Sequence, residues 1–346
     1  MRLTPLPDTA LAVLCPEPGI VRLGEVRIPD LAPDEVLIRT LVSGVSTGTD
    51  KWVMNGSFEW GGFSFPLVPG YQRIGIVEDF GSEVRSLQVD DIVFATSSRD
   101  FVGAAAGWGG HAHWAVSVQP EVFPAHGVSR LSGALAVSVQ VGVNAASRLT
   151  RPREQRVVVI GDGIIGVSAA LAALERGCSV LLAGHHDDRL RSVQNIHDDL
   201  AIVNTHQEWQ EVLNGWSPTS VIDTVQNHGV VSDYVPSLPC TWNSEICSNP
   251  RTGIAEIVFA GHSPGGVTTW ADMALLQKQE VTVHFVSGWT RQRILFTLEL
   301  LRSGRINLDP FIETVRSRPH DVDTLMSQVM GASMASIAAC IEWGES

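Results

Sequence analysis

Along residues 1–145 the apolar positions come in short runs that alternate with polar ones and stop at Gly or Pro. EVLIRTLVSGV at 35–45 and RIGIVEDFG at 73–81 are the clearest, and LGEVRIPDLAPDEV and LQVDDIVFA continue the pattern. Period-two alternation broken by turn residues predicts strands, so this part reads as an all-β or α+β domain. The pattern changes near residue 150. RVVVIGDGIIGVSAALAALERGCSVLLAGHH reads strand, tight turn, helix, strand. Apolar runs follow at 200–204 (LAIVN), 220–225 (SVIDTV), 256–262 (EIVFAGH) and 280–288 (EVTVHFVSG), with the helical stretches DDRLRSVQNIH and ADMALLQKQ between them. Strands alternating with helices predict a parallel sheet with crossover helices, hence an α/β fold. RQRILFTLELLRSGRI has helical spacing and then a Gly stop. Residues 230–252, rich in Pro, Ser, Asn and Trp, predict a long loop with room for one helix.

Composition narrows the function. A chain of 346 residues can fill two domain cores. A net charge of −13 disfavours nucleic acid or an anionic membrane as partner. No apolar run approaches the roughly 20 residues of a spanning helix, and the N-terminal stretch lacks a signal-peptide pattern. The five cysteines, Cys15, Cys178, Cys240, Cys247 and Cys340, show no CxxC spacing. Free thiols in a reducing cytoplasm are expected.

The first chemical motif is GDGIIG, directly after VVVI. Gly161 allows the tight turn, Gly163 lets a pyrophosphate approach the backbone, and Gly166 lets the helix pack on the strand; Ile164 and Ile165 open that helix. Free N–H groups at its start suit phosphates. The second strand runs into LLAGHHDDRL. A carboxylate there would read the ribose 2′-hydroxyl of NAD, yet His185 stands at or near that place, and His186 and Arg189 can neutralise a 2′-phosphate. NADP(H) is therefore favoured over NAD(H), with Asp187 or Asp188 as ribose readers in the contrary case.

GVSTGTD at 44–50, PLVPGYQRIGIVEDFGSEV at 66–84, DDIVF at 90–94, GWGGHAHWAV at 107–116, GDGIIG, VIDTVQN at 221–227, FAGH at 259–262 and LLRSGRINLDPFI at 300–312 occur in one order. In that order the chain resembles the medium-chain dehydrogenase/reductase superfamily over essentially its whole length. SGVSTGTD followed by FPLVPGY is most similar to the bacteriochlorophyllide dehydrogenase branch. The resemblance implies a GroES-like catalytic domain at 1–148, a Rossmann cofactor domain at 149–288 and a C-terminal return to the first domain at 289–346. It also implies cofactor contacts at Thr224, Ala260 and Ser287, and a homodimer or dimer of dimers built on the edge run VTVHFV at 281–286.

Zinc-dependent members carry CGTD and GHE motifs. Here Thr47 falls on the cysteine, Tyr71 on the histidine and Gln72 on the glutamate. A hydroxyl and an amide are poor zinc ligands. ALAVSVQVGVNAASR at 134–148 offers no Cys, His, Asp or Glu for a third ligand, and no Cys lies between Cys15 and Cys178 for a structural site. No metal is expected, and His111 with His113 lacks a third ligand. Tyr71 is then the best donor to a substrate oxygen, or else it only fills the vacated space. Thr49 matches a proton-relay hydroxyl, and Asp50 is placed to position the loop. Thr47, Trp52, Trp60, Phe63, Gln72, Trp108 and Trp289 are the implied substrate cleft, and its aromatics suit a bulky, flat or apolar substrate. These features imply a zinc-independent NAD(P)-dependent oxidoreductase acting on a ketone or secondary alcohol. The alternatives are an enone or quinone C=C reductase and a cofactor-binding protein with little catalysis.

Overall fold

The computed structural model describes residues 6–59, 62–205, 209–239, 255–261 and 273–344. The chain divides into two compact units. One comprises Met1–Val137 with Ile294–Ser346, the other Ser138–Arg293.

The second unit is built on six parallel strands. In spatial order they are Ala201–Asn204, Ser179–Gly184, Arg156–Ile160, Ser220–Asp223, Glu256–Ala260 and Thr282–Val286. In chain order this is 3-2-1-4-5-6, the doubly wound arrangement whose switch point lies between the first and fourth strands. Arg156–Ile160 lies at that point, and Val157, Val158, Val159 and Ile160 are all buried. A strand covered on both faces needs apolar side chains at every position, which explains the unbroken VVVI. On one face Trp209, Leu213, Val231, Tyr234 and Phe259 form a core cluster. Close backbone approach governs part of the helical packing. A Cβ on Gly142 would lie 2.6 Å from both the Ala169 nitrogen and the Ile165 oxygen. Thr282–Val286 ends the sheet, where Phe285 stacks on Phe259 at 5.4 Å and stays 66% exposed.

The first unit is centred on the strand Glu35–Val45. It pairs antiparallel with Arg73–Phe80, with Trp114–Val118 and with Ala338–Glu342. Ala338–Glu342 pairs in parallel with Ile312–Arg316, so the C-terminal segment completes the larger sheet of the first unit. A smaller sheet joins Thr9–Glu17, Ile20–Arg27, Leu67–Val68 and Ala105–Ala106. Asp309 ties the returning segment to the helix Arg130–Ala134 by accepting from the Ser129 hydroxyl at 2.7 Å and the Ser132 amide at 3.0 Å. Arg73 is wholly buried beside Ser97 and Ser117, and burial pulls its pKa down to about 9.

Within the strand-rich part of the chain, residues Ala136–Ser147 form a helix. Its small residues are buried on every side, so period-two spacing carries no information about which face points inward. Of the stretch 230–252, His228–Tyr234 is a helix continued by the short turn Val235–Ser237, and residues 240–252 lie outside the described residues. Among the described residues no helix is long and apolar enough to cross a membrane.

Candidate active site and cofactor turn

The glycine turn follows the first strand of the parallel sheet. Gly161 has φ +116, and a Cβ on Gly166 would lie 1.8 Å from the Gly161 oxygen, so neither position accepts a side chain. Gly163 caps the helix Ile164–Glu175 with no side-chain cap and no atom within 4 Å of where its Cβ would be. Open space over uncapped helical N–H groups fits a pyrophosphate. Ile164 and Ile165 are half-buried in the first turn of that helix. Thr224 donates its hydroxyl to the Ile160 carbonyl at 2.8 Å, and its Oγ1 would lie 2.1 Å from a Cβ on Gly161. Ala260 ends its strand with its carbonyl accepting from Gln226 Nε2 at 3.1 Å, and Ser287 is exposed just past the last strand. Asp223 braces the loop beyond Thr224. Burial raises its pKa, against the opposing bonds from the Gln226 and Val225 amides and the Tyr234 hydroxyl.

At the end of the second strand the candidate phosphate readers His186 and Arg189 share one partner. Both are engaged by Asp162, the residue between the first two glycines, which the sequence reading passed over. Asp162 Oδ2 accepts from the His185 and His186 amides, each at 2.8 Å. Its Oδ1 accepts from His186 Nδ1 at 2.9 Å and Arg189 Nη1 at 3.2 Å. Burial works to raise the pKa of this carboxyl, but the His186 amide, the His186 ring and the His185 amide together hold it below its ordinary value. Asp187 is bonded to Asn204 at 2.6 Å and Asp188 pairs with Arg191 at 3.5 Å. The signal for Asp162 was its position alone, since the turn motif leaves that residue free.

In the first unit a buried polar chain lies behind the proposed catalytic loop. Asp50, fully buried on the short helix Thr49–Met54, accepts from the Ser46 amide at 2.7 Å and from His111 Nε2 at 3.1 Å. His111 Nδ1 meets Ser43 Oγ at 2.9 Å, and Ser43 Oγ accepts from Trp343 Nε1 at 2.9 Å. An indole only donates. The arrangement that satisfies the hydroxyl, both ring nitrogens and the indole therefore passes the Ser43 proton to Nδ1 and the His111 Nε2 proton to Asp50 Oδ2. The sequence considered His111 only as a metal ligand with His113. The structure instead pairs it with Asp50, while the His113 ring lies against Trp343 at 6.3 Å.

Tyr71 follows Gly70, whose φ is +95 and whose Cβ would lie 2.7 Å from the His111 ring. Tyr71 is 7% exposed and meets Trp108 edge-on at 5.5 Å. Trp108, itself at φ +64, also meets Phe63 at 5.0 Å and Phe58 at 5.3 Å, so Tyr71, Trp108 and Phe63 do come together, with Phe58 added. Thr49 is half-buried and Thr47 exposed at the helix start, and Trp52 is half-buried on the same helix. Gln72 is fully buried, so it does not line an open surface as expected; its backbone joins Gly44 inside the sheet. Trp60 lies outside the described residues. Trp289 is half-buried in the second unit, next to Gly288, whose carbonyl accepts from Gln140 at 2.7 Å.

The donors at Thr47, Tyr71 and Gln72 do not fit a zinc ion. Cys15 senses Asp50, but burial first and that charge second push its thiol up to about 12, so it is no thiolate at neutral pH. Among the described residues the one group of three His, Cys, Asp or Glu side chains within metal-sharing reach is Asp162, His185 and His186, in the other unit.

Comparison with known proteins agrees with this architecture. Residues 32–129 match the alcohol dehydrogenase GroES-like domain. The chain is 21% identical over 338 residues to D-arabinitol dehydrogenase 1 of Uromyces fabae, covering 90% of this chain and 91% of that one. It is 27% identical over 171 residues to 2-desacetyl-2-hydroxyethyl bacteriochlorophyllide A dehydrogenase of Cereibacter sphaeroides, covering 48% of this chain and 53% of the relative. The crystal structure of benzyl alcohol dehydrogenase from Acinetobacter calcoaceticus superposes with a TM-score of 0.80 at 19% identity, covering 97% of this chain and 99% of that one.

The buried chain generates a prediction about stability. His111→Ala leaves the Asp50 carboxylate buried without its ring partner, a loss of about 3 kcal/mol or more. Ser43→Ala strands only the Trp343 N–H and the ring nitrogen, at about 1–3 kcal/mol. Urea unfolding of the three proteins should rank them wild type, Ser43→Ala, His111→Ala. Equal midpoints for wild type and His111→Ala would remove the network from any structural role.

Proposed function

We propose that this chain is a member of the medium-chain dehydrogenase/reductase superfamily and a zinc-independent NAD(P)-dependent oxidoreductase acting on a ketone or secondary alcohol of a bulky, apolar substrate, a reading supported by the GroES-like domain match and the dehydrogenase relatives. The observation that carries this is the position of Tyr71. A phenol stands where the resemblance puts a metal ligand, held on a glycine at φ +95 above His111 and flanked by Trp108. A bound nicotinamide dinucleotide supplies or accepts the hydride. In the reduction direction Tyr71 donates its hydroxyl proton to the developing alkoxide, a task that falls to metal polarisation in zinc enzymes. Asp50 and His111 position the loop from below. Thr49 is the relay hydroxyl. Trp108, Phe63 and Phe58 give the substrate an apolar wall, which agrees with a relative named for a bacteriochlorophyllide. Arg189 and the His185–His186 pair support NADP(H) over NAD(H). The buried free thiols Cys15, Cys178 and Cys340 agree with a cytoplasmic setting.

Tyr71→Phe keeps the ring and removes the donor. Single-turnover hydride transfer should fall by about 10²–10⁴-fold with cofactor binding intact. Thr49→Val should cost less, since water replaces part of a relay. A near wild-type rate for Tyr71→Phe would make the tyrosine a space-filler. It would also favour enone reduction, in which solvent delivers the proton to carbon.

Elemental analysis of purified protein should find no stoichiometric zinc, and chelator should leave activity and melting temperature unchanged. One tightly bound zinc per chain would sink the metal-independent mechanism.

The strand Thr282–Val286, with Phe285 exposed at the sheet edge, is the proposed seat of a homodimer or dimer of dimers. Light scattering should give at least twice the chain mass of 37.3 kDa, falling for Phe285→Asp. A monomer at all concentrations would contradict this assembly.

A further inference from the structure

Building on the cofactor site proposed above, we propose that Asp162 sets the nucleotide preference by fixing the tautomer of His186. Held with its Nδ1 proton inward, His186 accepts from a ribose 2′-hydroxyl through Nε2 when neutral and donates to a 2′-phosphate from Nε2 when protonated.

Three observations lead there. The first is a displacement of charge. The second strand, Ser179–Gly184, ends on a residue with no side chain. A Cβ on Gly184 would lie 2.4 Å from Asp162 Oδ2, so residues 162 and 184 compete for one space. The carboxylate that this fold commonly takes from the strand end arrives here from the glycine turn.

The second is saturation. Asp162 accepts two amides on Oδ2 and the His186 ring and Arg189 on Oδ1. Its oxygens are occupied from inside the protein, so it acts through His186 and Arg189 and is a positioning residue. A carboxylate only accepts, so the proton of a neutral His186 ring must sit on Nδ1. The lone pair is then on Nε2. The ring is 39% exposed, within reach of a ligand at the carboxyl end of the strand beside the glycine turn.

The third is the set of charges around the ring. His185 lies with its ring 3.8 Å from that of His186. Arg189 shares Asp162 Oδ1. Asp187 and Asp188 open the following helix, with Asp187 bonded to Asn204 and Asp188 paired with Arg191. The two charged groups next to His186 are thus one anion, Asp162, and one cation, Arg189. A second cationic donor on the ring adds to Arg189 toward a phosphate, whereas a neutral acceptor suits a hydroxyl.

Tryptophan-fluorescence titration with NADH and with NADPH tests this, read as the ratio of dissociation constants at about pH 5.5 and 8.5, which bracket histidine titration. Wild type should shift toward NADPH by about 10-fold at the lower pH, the size of one charge-assisted hydrogen bond. His186→Gln cannot titrate there, so its remaining shift isolates that of the nucleotide phosphate. Asp162→Asn keeps an acceptor for the two amides but turns its NH₂ toward Nδ1. The neutral ring must then carry its proton on Nε2, and NADPH preference at pH 8.5 should rise. Melting temperatures report whether each variant folds. If both nucleotides bind but the pH shift is the same in wild type and His186→Gln, the tautomer control is wrong while the cofactor reading stands. If neither nucleotide binds, both fall. If one equivalent of zinc raises the melting temperature of wild type but not of His186→Gln and competes with nucleotide, the cluster is a metal site and the inference is overturned.

Discussion

The His111–Asp50 hydrogen bond holds the first unit's candidate site in place. Both side chains are withdrawn from solvent, and each must find its partners inside the protein or carry the full desolvation cost. They find them in four separate parts of the chain. Ser43 comes from the central strand, Asp50 from the short helix after it, His111 from the turn that carries Trp108, and Trp343 from the returning C-terminal segment. Because the bonds connect these segments, the loop bearing Tyr71 rests on a floor that is polar in composition yet closed to water. Gly70 has no room for a side chain above that floor, which sets how near Tyr71 lies to it.

The second unit follows the same logic with a different carboxylate. Asp162 gathers two backbone amides, an imidazole and a guanidinium at one strand end, and Asp223 gathers two amides and a phenol at another. Each ties down a strand-to-helix connection through backbone amides. Hydrogen bonds to a buried anion are stronger than neutral ones, and rigid loop backbone is what a nucleotide site needs, since its phosphates are read by N–H groups. The glycines serve the same end by excluding side chains where the backbone must be approached.

The fold was largely open to inspection in the sequence. Unbroken apolar runs between helices, the GDGIIG turn after VVVI, and the ordered motifs of the first part of the chain each depend on local chemistry, so the parallel sheet and the turn could be placed without coordinates. The helix Ala136–Ser147 was not evident, because small residues buried on all sides carry no periodic signal.

For the site, local sequence determined which functional groups are available: a tyrosine and a threonine at positions 71 and 47, three glycines at turn spacing, and an imidazole and a guanidinium after the second strand. It could not determine which of them are spoken for. Asp50 and His111 are 61 positions apart, Ser43 and Trp343 are 300 apart, and Asp162 reaches 24 positions to His186. Hydrogen bonds over such separations follow from how strands align and where a backbone leaves no space. Tertiary structure alone therefore decided that His111 is a buried partner of Asp50 and that Gln72 is shut inside the sheet. It also decided that the charge missing from the second strand's end is supplied by the glycine turn.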